Sequence, residues 1–251
     1  MDSFITWIGG KKLLRKQIVN RFPEKMEKYV EVFGGAAWVL FYKDKHAEKE
    51  VYNDINSELV NIFRMVKYHP EAVERELEYM LNSREMYNEY YTQDIRKRTE
   101  IQRAARYFFL IKVSYGSKIT SFGCTPRNVM QIRDLSEVQK RLSKVLIENK
   151  SFEQLIRAQD GEGTLFYCDP PYYKTEKYYD TGDSEFGKEQ HIILRDILSK
   201  IEGKFVLSYN DDPFIRELYK EFHIEEVERN NNLGNAAGGK KKYKELIITN
   251  Y

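Results

Sequence analysis

The sequence has little cysteine: Cys124 and Cys168 are the two in 251 residues. Two thiols so far apart make neither a disulfide framework nor a cysteine-built zinc site, and no other metal-ligand spacing is present. A reducing cytoplasm fits this usage. No apolar run approaches the roughly 18 residues that a bilayer span requires. The opening residues, Met1 to Lys12, lack the apolar stretch of a signal peptide. Internal repeats and low-complexity stretches are absent too. Apolar residues are not scarce: 41% of the chain is hydrophobic and 14% aromatic, so it buries a core and is not disordered. The length suits one large domain, or one domain carrying an insertion.

Net charge is also nearly absent, at +2 from 41 basic and 39 acidic residues. That total hides an uneven distribution. Arg96, Lys97, Arg98, Arg103, Arg106, Lys112, Lys118, Arg127 and Arg133 face one acid, Glu100, within the same window, a local charge of +8 that leaves −6 for the rest. Lys240, Lys241, Lys242 and Lys244 form a second cluster. A localised basic zone on an acidic protein is the footprint of a polyanion, or else a solvated helix face.

Periodicity organises the chain into three parts. Residues 11–22 read as a helix, 29–33 as a strand ending at Gly34-Gly35, 36–42 as a helix, 50–53 as a strand and 56–68 as a helix. That is the front half of a nucleotide-binding α/β unit. Residues 70–145 read as an inserted, largely helical module, with a Gly/Ser/Thr-rich loop or hairpin at 115–133 and a helix at 135–145. The α/β pattern resumes with strands at 164–168 and 204–208, helices at 188–200 and 213–220, and a final antiparallel pair at 222–227 and 243–249.

Two segments carry chemistry. Glu31-Val-Phe-Gly-Gly-Ala-Ala37 lets a ligand approach the backbone where a strand turns. Asp54, just after the second strand, can accept both hydroxyl hydrogens of a ribose; the plainer reading is a turn carboxylate capping the next helix. A strict Gly-x-Gly-x-x-Gly is missing, which argues against a dinucleotide cofactor. Asp169-Pro170-Pro171-Tyr172 follows a strand, where open α/β sheets bind ligands. The two prolines stiffen the loop. Asp169 and a proline carbonyl can both accept hydrogens from one exocyclic amine, and the Tyr172 ring offers a stacking face.

The order of Trp7-Ile-Gly-Gly-Lys11, Glu31-Val-Phe-Gly-Gly-Ala, Tyr52-Asn-Asp-Ile-Asn56 and Tyr167-Cys-Asp-Pro-Pro-Tyr172 resembles the Dam-type, alpha-class DNA adenine-N6 methyltransferases. The resemblance runs from about residue 4 to the C-terminus, including Leu207-Ser-Tyr-Asn-Asp211 and the Lys-rich closing segment. It implies a Rossmann-like α/β fold using S-adenosylmethionine, with residues 1–69 and 146–251 catalytic and 70–145 a helical/hairpin DNA-recognition insert. It implies that Trp7 packs on the cofactor adenine and Lys11 belongs to the same site. Phe33 and Gly35 line the methionine side, Asp54 holds the ribose, and Asp169 lies between cofactor and target amine. Tyr172 then stacks on a base flipped out of duplex DNA. Lys118, Arg127, Arg98 and Lys240 are the expected DNA contacts, with Arg96, Lys97 and Arg103 also placed for phosphate. The family often has proline at the Val32 position and glycine at the Ala37 position, so the Ala37 methyl is expected to narrow the methionine pocket.

GATC is the family's common target. A monomer is expected, and a cognate restriction endonuclease is a possible partner. N4-cytosine methylation and a non-catalytic DNA-binding role are the alternatives; the long insert and the motif order argue against an RNA substrate. C5-cytosine chemistry is disfavoured, because neither cysteine stands where that reaction needs its nucleophile.

Overall fold

Thr164–Cys168 is buried at every position, and Tyr29, Val30 and Glu31 are buried in sequence. Strands covered on both faces show this continuous burial rather than alternation, which is the habit of parallel sheets inside α/β folds. The computed structural model describes residues 1–117, 119–123, 134–174, 186–230 and 242–251. In it β1 (Lys28–Glu31), β2 (Lys49–Asn53), β3 (Val145–Glu148), β4 (Thr164–Cys168) and β5 (Lys204–Asn210) run parallel. β6 (His223–Asn230) and β7 (Lys242–Thr249) close one side, with β7 antiparallel to both β5 and β6. The order β3-β2-β1-β4-β5-β7-β6 reverses direction between β1 and β4. The crevice outside the carboxyl ends of those two strands is where such sheets take ligands.

Helices cover both faces. On one face α2 (Ser57–Tyr68) and α5 (Glu100–Val113) share a core with Phe4, Phe41 and Phe63. α3 (Pro70–Glu78), α4 (Arg84–Thr92) and α6 (Leu135–Leu142) pack around them. On the other face α7 (Phe152–Gln159), α8 (Lys188–Leu198) and α9 (Pro213–Leu218) cover Val30, Phe166, Phe205 and Leu207. Their starts are chemically marked. Asn56 accepts the Leu59 N–H, and Thr99 forms a capping box with Gln102. Among the described residues no helix is long and apolar enough to cross a membrane.

The structure departs from the sequence expectation in three places. The helix expected over 11–22 contracts to α1 (Arg15–Val19). The helix expected over 36–42 is a single 3-10 turn, Leu40–Tyr42, because Gly35 (φ +49°) and Ala37 (φ +55°) turn the chain out of the right-handed helical region. The helix expected over 135–145 stops at Leu142, and Val145 opens β3. A three-residue apolar run after a helix carries too little periodicity to reveal itself as an edge strand. Of the expected DNA contacts, Lys118, Arg127 and Lys240 lie outside the described residues, and Arg98 is exposed after a short 3-10 turn.

α6 is tied to the sheet by charge. Arg141 forms two bonds with Glu50, at 2.7 and 2.8 Å, with both side chains 5% exposed. Its remaining hydrogens reach the carbonyls of Lys43 and Leu40. Removing one partner leaves the other buried and unpaired. Arg141→Ala is therefore expected to cost about 3–5 kcal/mol, measured by urea unfolding. A loss under about 1 kcal/mol would mean that the pair is as weak as a surface one.

Candidate active site

β1 delivers the chain to Gly34 and Gly35, and neither tolerates a side chain. A Cβ on Gly34 would lie 2.2 Å from the Tyr52 ring, and one on Gly35 would lie 2.9 Å from Trp7 Cδ1. Gly35 also has φ +49°, a conformation that costs other residues about 1 kcal/mol or more. Its carbonyl accepts the Tyr52 hydroxyl at 2.8 Å, and its N–H donates to Asp54 Oδ2 at 2.8 Å. Asp54 Oδ1 accepts the Asn56 N–H at 2.9 Å. Asp54 is thus a turn carboxylate, as its plainer reading holds, while the helix cap itself falls to Asn56. Each Asp54 oxygen has a second lone pair, and the residue lines the cleft.

β4 delivers Asp169 across from Gly35. Its Oδ2 pairs with Lys11 Nζ at 2.7 Å, and its Oδ1 accepts the Ser208 hydroxyl at 2.9 Å. Ser208 in turn meets the Tyr167 hydroxyl at 3.1 Å. Lys11 is 4% exposed, so it is no solvated helix-start lysine. It also donates to the Gly9 carbonyl and stands 4.6 Å from the centre of the Tyr172 ring. Burial pushes the Asp169 carboxyl above its ordinary value, while Lys11 and Ser208 pull it back. Glu31, on the same wall, is pushed up to about 8 by burial, against the hydrogen bond from Tyr29. The buried Cys168 thiol is pushed up as well, which removes it as a nucleophile at neutral pH.

One cleft joins these groups, with about 1140 Å³ of empty space open to solvent. Trp7, Lys11, Phe33, Gly35, Asp54, Asp169 and Pro171 all line it. Pro170 is buried, and Tyr172 lies beside Lys11 with its hydroxyl on Glu245. Ala37 does not line the cleft: it is fully buried in the core, so its methyl narrows nothing there. Sequence reasoning missed the segment Lys150-Ser-Phe-Glu153, which lines the cleft after β3, because β3 itself went unseen. It also assigned no role to Glu31, Tyr167, Ser208 or Glu245. Their signal was positional, at strand ends or beside one. Arg103 is spent on Glu58 of α2, and Arg106 donates to the Tyr90 carbonyl, so neither forms part of a free phosphate-facing row.

A cleft at the switch point of a sheet with this strand order defines a Rossmann-like methyltransferase fold. A sequence model of the D12 class N6 adenine-specific DNA methyltransferases matches residues 7–233, and the chain belongs to that family. It is 30% identical to the Type II methyltransferase M1.LlaDCHI of Lactococcus lactis subsp. cremoris, covering all of this chain and 96% of that one. It is 24% identical to the DNA adenine methylase of Vibrio cholerae, over 98% of this chain and 94% of that one. The Type II methyltransferase M.CviBI of Paramecium bursaria Chlorella virus NC1A is 24% identical over the whole of both chains.

Gly35→Ala is expected to cost about 1–3 kcal/mol through its left-handed backbone and to displace the Trp7 ring. Tryptophan emission in a Trp38→Phe background reads the displacement; an unchanged spectrum would show that Trp7 does not rest on Gly35.

Proposed function

We infer that this chain transfers a methyl group from S-adenosylmethionine to adenine N6 in duplex DNA, with the base flipped out and GATC as the first sequence to test. One observation carries this reading. An N–H donor, the Lys11 ammonium, already sits on Asp169 Oδ2 and over the face of Tyr172. The end of the cleft is therefore built to hold a nitrogen between a carboxylate acceptor and an aromatic ring.

The donor set of the cleft fits the cofactor. Asp54, Glu153 and Asp169 outnumber Lys11 and Lys150, which suits a cationic sulfonium. Trp7 offers a ring for the adenine, Asp54 two acceptors for the ribose hydroxyls, and Phe33 and Gly35 the wall for the methionine side. Bound S-adenosylmethionine supplies an electrophilic methyl group.

The protein's own part is positioning. The Asp169 carboxylate and the Pro170 carbonyl accept the two amine hydrogens of the target. This favours a pyramidal nitrogen whose lone pair has left the ring. Pro170 and Pro171 keep both acceptors fixed, so little reorganisation is needed at the moment of reaction. Tyr172 stacks on the base, whose amine is unreachable inside a duplex. Residues 70–145 serve as the recognition module, with Arg98, Lys118 and Arg127 toward DNA and Lys240 from the closing segment. The enzyme works as a monomer. The relatives named Type II methyltransferases support a cognate endonuclease as its partner in the cell.

Nucleoside mass spectrometry of mixed-sequence duplex DNA, after incubation with S-adenosylmethionine, tests the reaction. N6-methyladenine is the expected product, and Asp169→Ala is expected to lower its yield by more than about 100-fold while DNA binding persists. N4-methylcytosine instead would overturn the substrate, since that amine needs the same acceptors.

The acceptor role requires ionised Asp169, whose carboxyl is raised by burial. Activity is present above that raised value and is lost as pH falls through it, so the acid limb lies above the ordinary aspartate value near 3.8. Ser208→Ala removes a hydrogen bond that lowers the Asp169 value, so the limb is expected to move to higher pH. A limb that stays put or moves down would separate Ser208 from the reacting carboxylate.

A further inference from the structure

Behind the Tyr172 ring lies a buried carboxylate to which the reaction above gives no role. Glu245 stands on β7, opposite Asn210 of β5 and Val227 of β6, and is 2% exposed. Its Oε2 accepts the Tyr172 hydroxyl at 2.5 Å. Burial, together with the nearby Asp169 and Glu245 carboxylates, pushes the Tyr172 phenol well above its ordinary value, so the hydroxyl keeps its proton and is the donor. Burying a carboxylate is costly, and an apolar residue would fill the same space on the sheet at no such cost.

The loop does not need Glu245 to hold its backbone. Tyr173 packs 4.5 Å from the Phe214 ring, and the Asn210 amide donates to the Tyr173 carbonyl at 3.3 Å. Tyr172 itself leans on Tyr209, 6.1 Å away. What Glu245 adds to the loop is its bond to the hydroxyl, and its charge joins burial in raising the Asp169 carboxyl. A phenol that donates a charge-assisted hydrogen bond has a fixed ring plane and a more electron-rich face. The ring already meets a cation face-on, the Lys11 ammonium, at 4.6 Å from its centre.

We propose that Glu245 is a positioning residue for methyl transfer: through the Tyr172 hydroxyl it fixes the ring as the platform for the target base and enriches the ring face toward the positive charge that grows on the amine. The inference rests on Tyr172 being the stacking partner proposed above.

Glu245→Gln tests it, because the amide keeps an acceptor oxygen and loses the charge. The expected result is a fall in kcat of about tenfold to thirtyfold, with the KM values for DNA and S-adenosylmethionine within about twofold of wild type. Tyr172→Phe removes the hydroxyl from the other side and carries the test if Glu245→Gln melts early. The double variant is expected to be no worse than the poorer single variant, since both break one interaction. A readout independent of turnover is the ¹³Cζ resonance of Tyr172 in tyrosine-labelled protein, assigned by its loss in Tyr172→Phe. It is expected to move upfield in Glu245→Gln.

An active wild type whose kcat is unchanged by Glu245→Gln would overturn the role alone, as would losses that multiply in the double variant or an unmoved resonance. A wild type that methylates no adenine would overturn the proposed function and this role with it.

Discussion

The ion pair between Lys11 and Asp169 closes the site. It joins the N-terminal segment, before any strand has formed, to the loop that follows β4, 158 positions later in the sequence. A buried pair of this kind gains little net stability, because both charges give up water to make it. What it fixes is geometry. With Lys11 held, Gly9 and Gly10 lie along the cleft and Trp7 rests against Gly35. With Asp169 held, Ser208 and Tyr167 take up their hydroxyl contacts, and Lys11 stands over the Tyr172 ring.

The sheet explains why these distant segments meet. Chain order runs outward from β1 through β2 to β3, then returns to β4 on the other side of β1. The turns after β1, β2 and β4 therefore open at one end of the sheet, and they carry Gly35, Asp54 and Asp169. Asn53 locks two of these turns to the segment after β3. Its amide nitrogen donates to the carbonyls of Val32 and Lys150, and its oxygen accepts the Lys150 N–H. The glycine turn, the turn that carries Asp54 and the wall at Lys150–Glu153 are set by one side chain at the end of β2.

That arrangement was legible in the sequence where chemistry is local. The strands under Gly34 and Asp169 are apolar runs, and Asp-Pro-Pro-Tyr is a stiff acceptor loop whatever surrounds it. Seven of the residues expected at the site, Trp7 through Pro171, line one cleft. What was not legible depends on tertiary placement. β3 is a four-residue edge strand whose Leu146 is 49% exposed, so its pattern merges with the helix before it. Glu245 reads as one charge in a lysine-rich tail until β7 turns it inward. Ala37 looks like an obstruction from its position in the motif, yet its positive φ points its methyl into the core. Arg103 and Arg106 count toward a basic patch in sequence, while packing consumes both.

The helical segment between β2 and β3 touches the cleft as well as the core. The Tyr107 hydroxyl of α5 accepts the Asn56 amide at 3.0 Å, and its ring centre is 6.5 Å from that of Trp7. Asn56 caps α2 and holds Asp54 Oδ1 through its own N–H. Arg103, one turn earlier on α5, pairs with Glu58 in the first turn of α2. α5 therefore touches two parts of the cleft wall, the Trp7 ring through packing and Asp54 through the hydrogen bonds of Asn56. After α5 the Gly123 N–H donates to the Val113 carbonyl, and the Tyr115 N–H donates to the Ser121 carbonyl. Contacts therefore run from that turn through α5 to the cleft, although the sequence separates them.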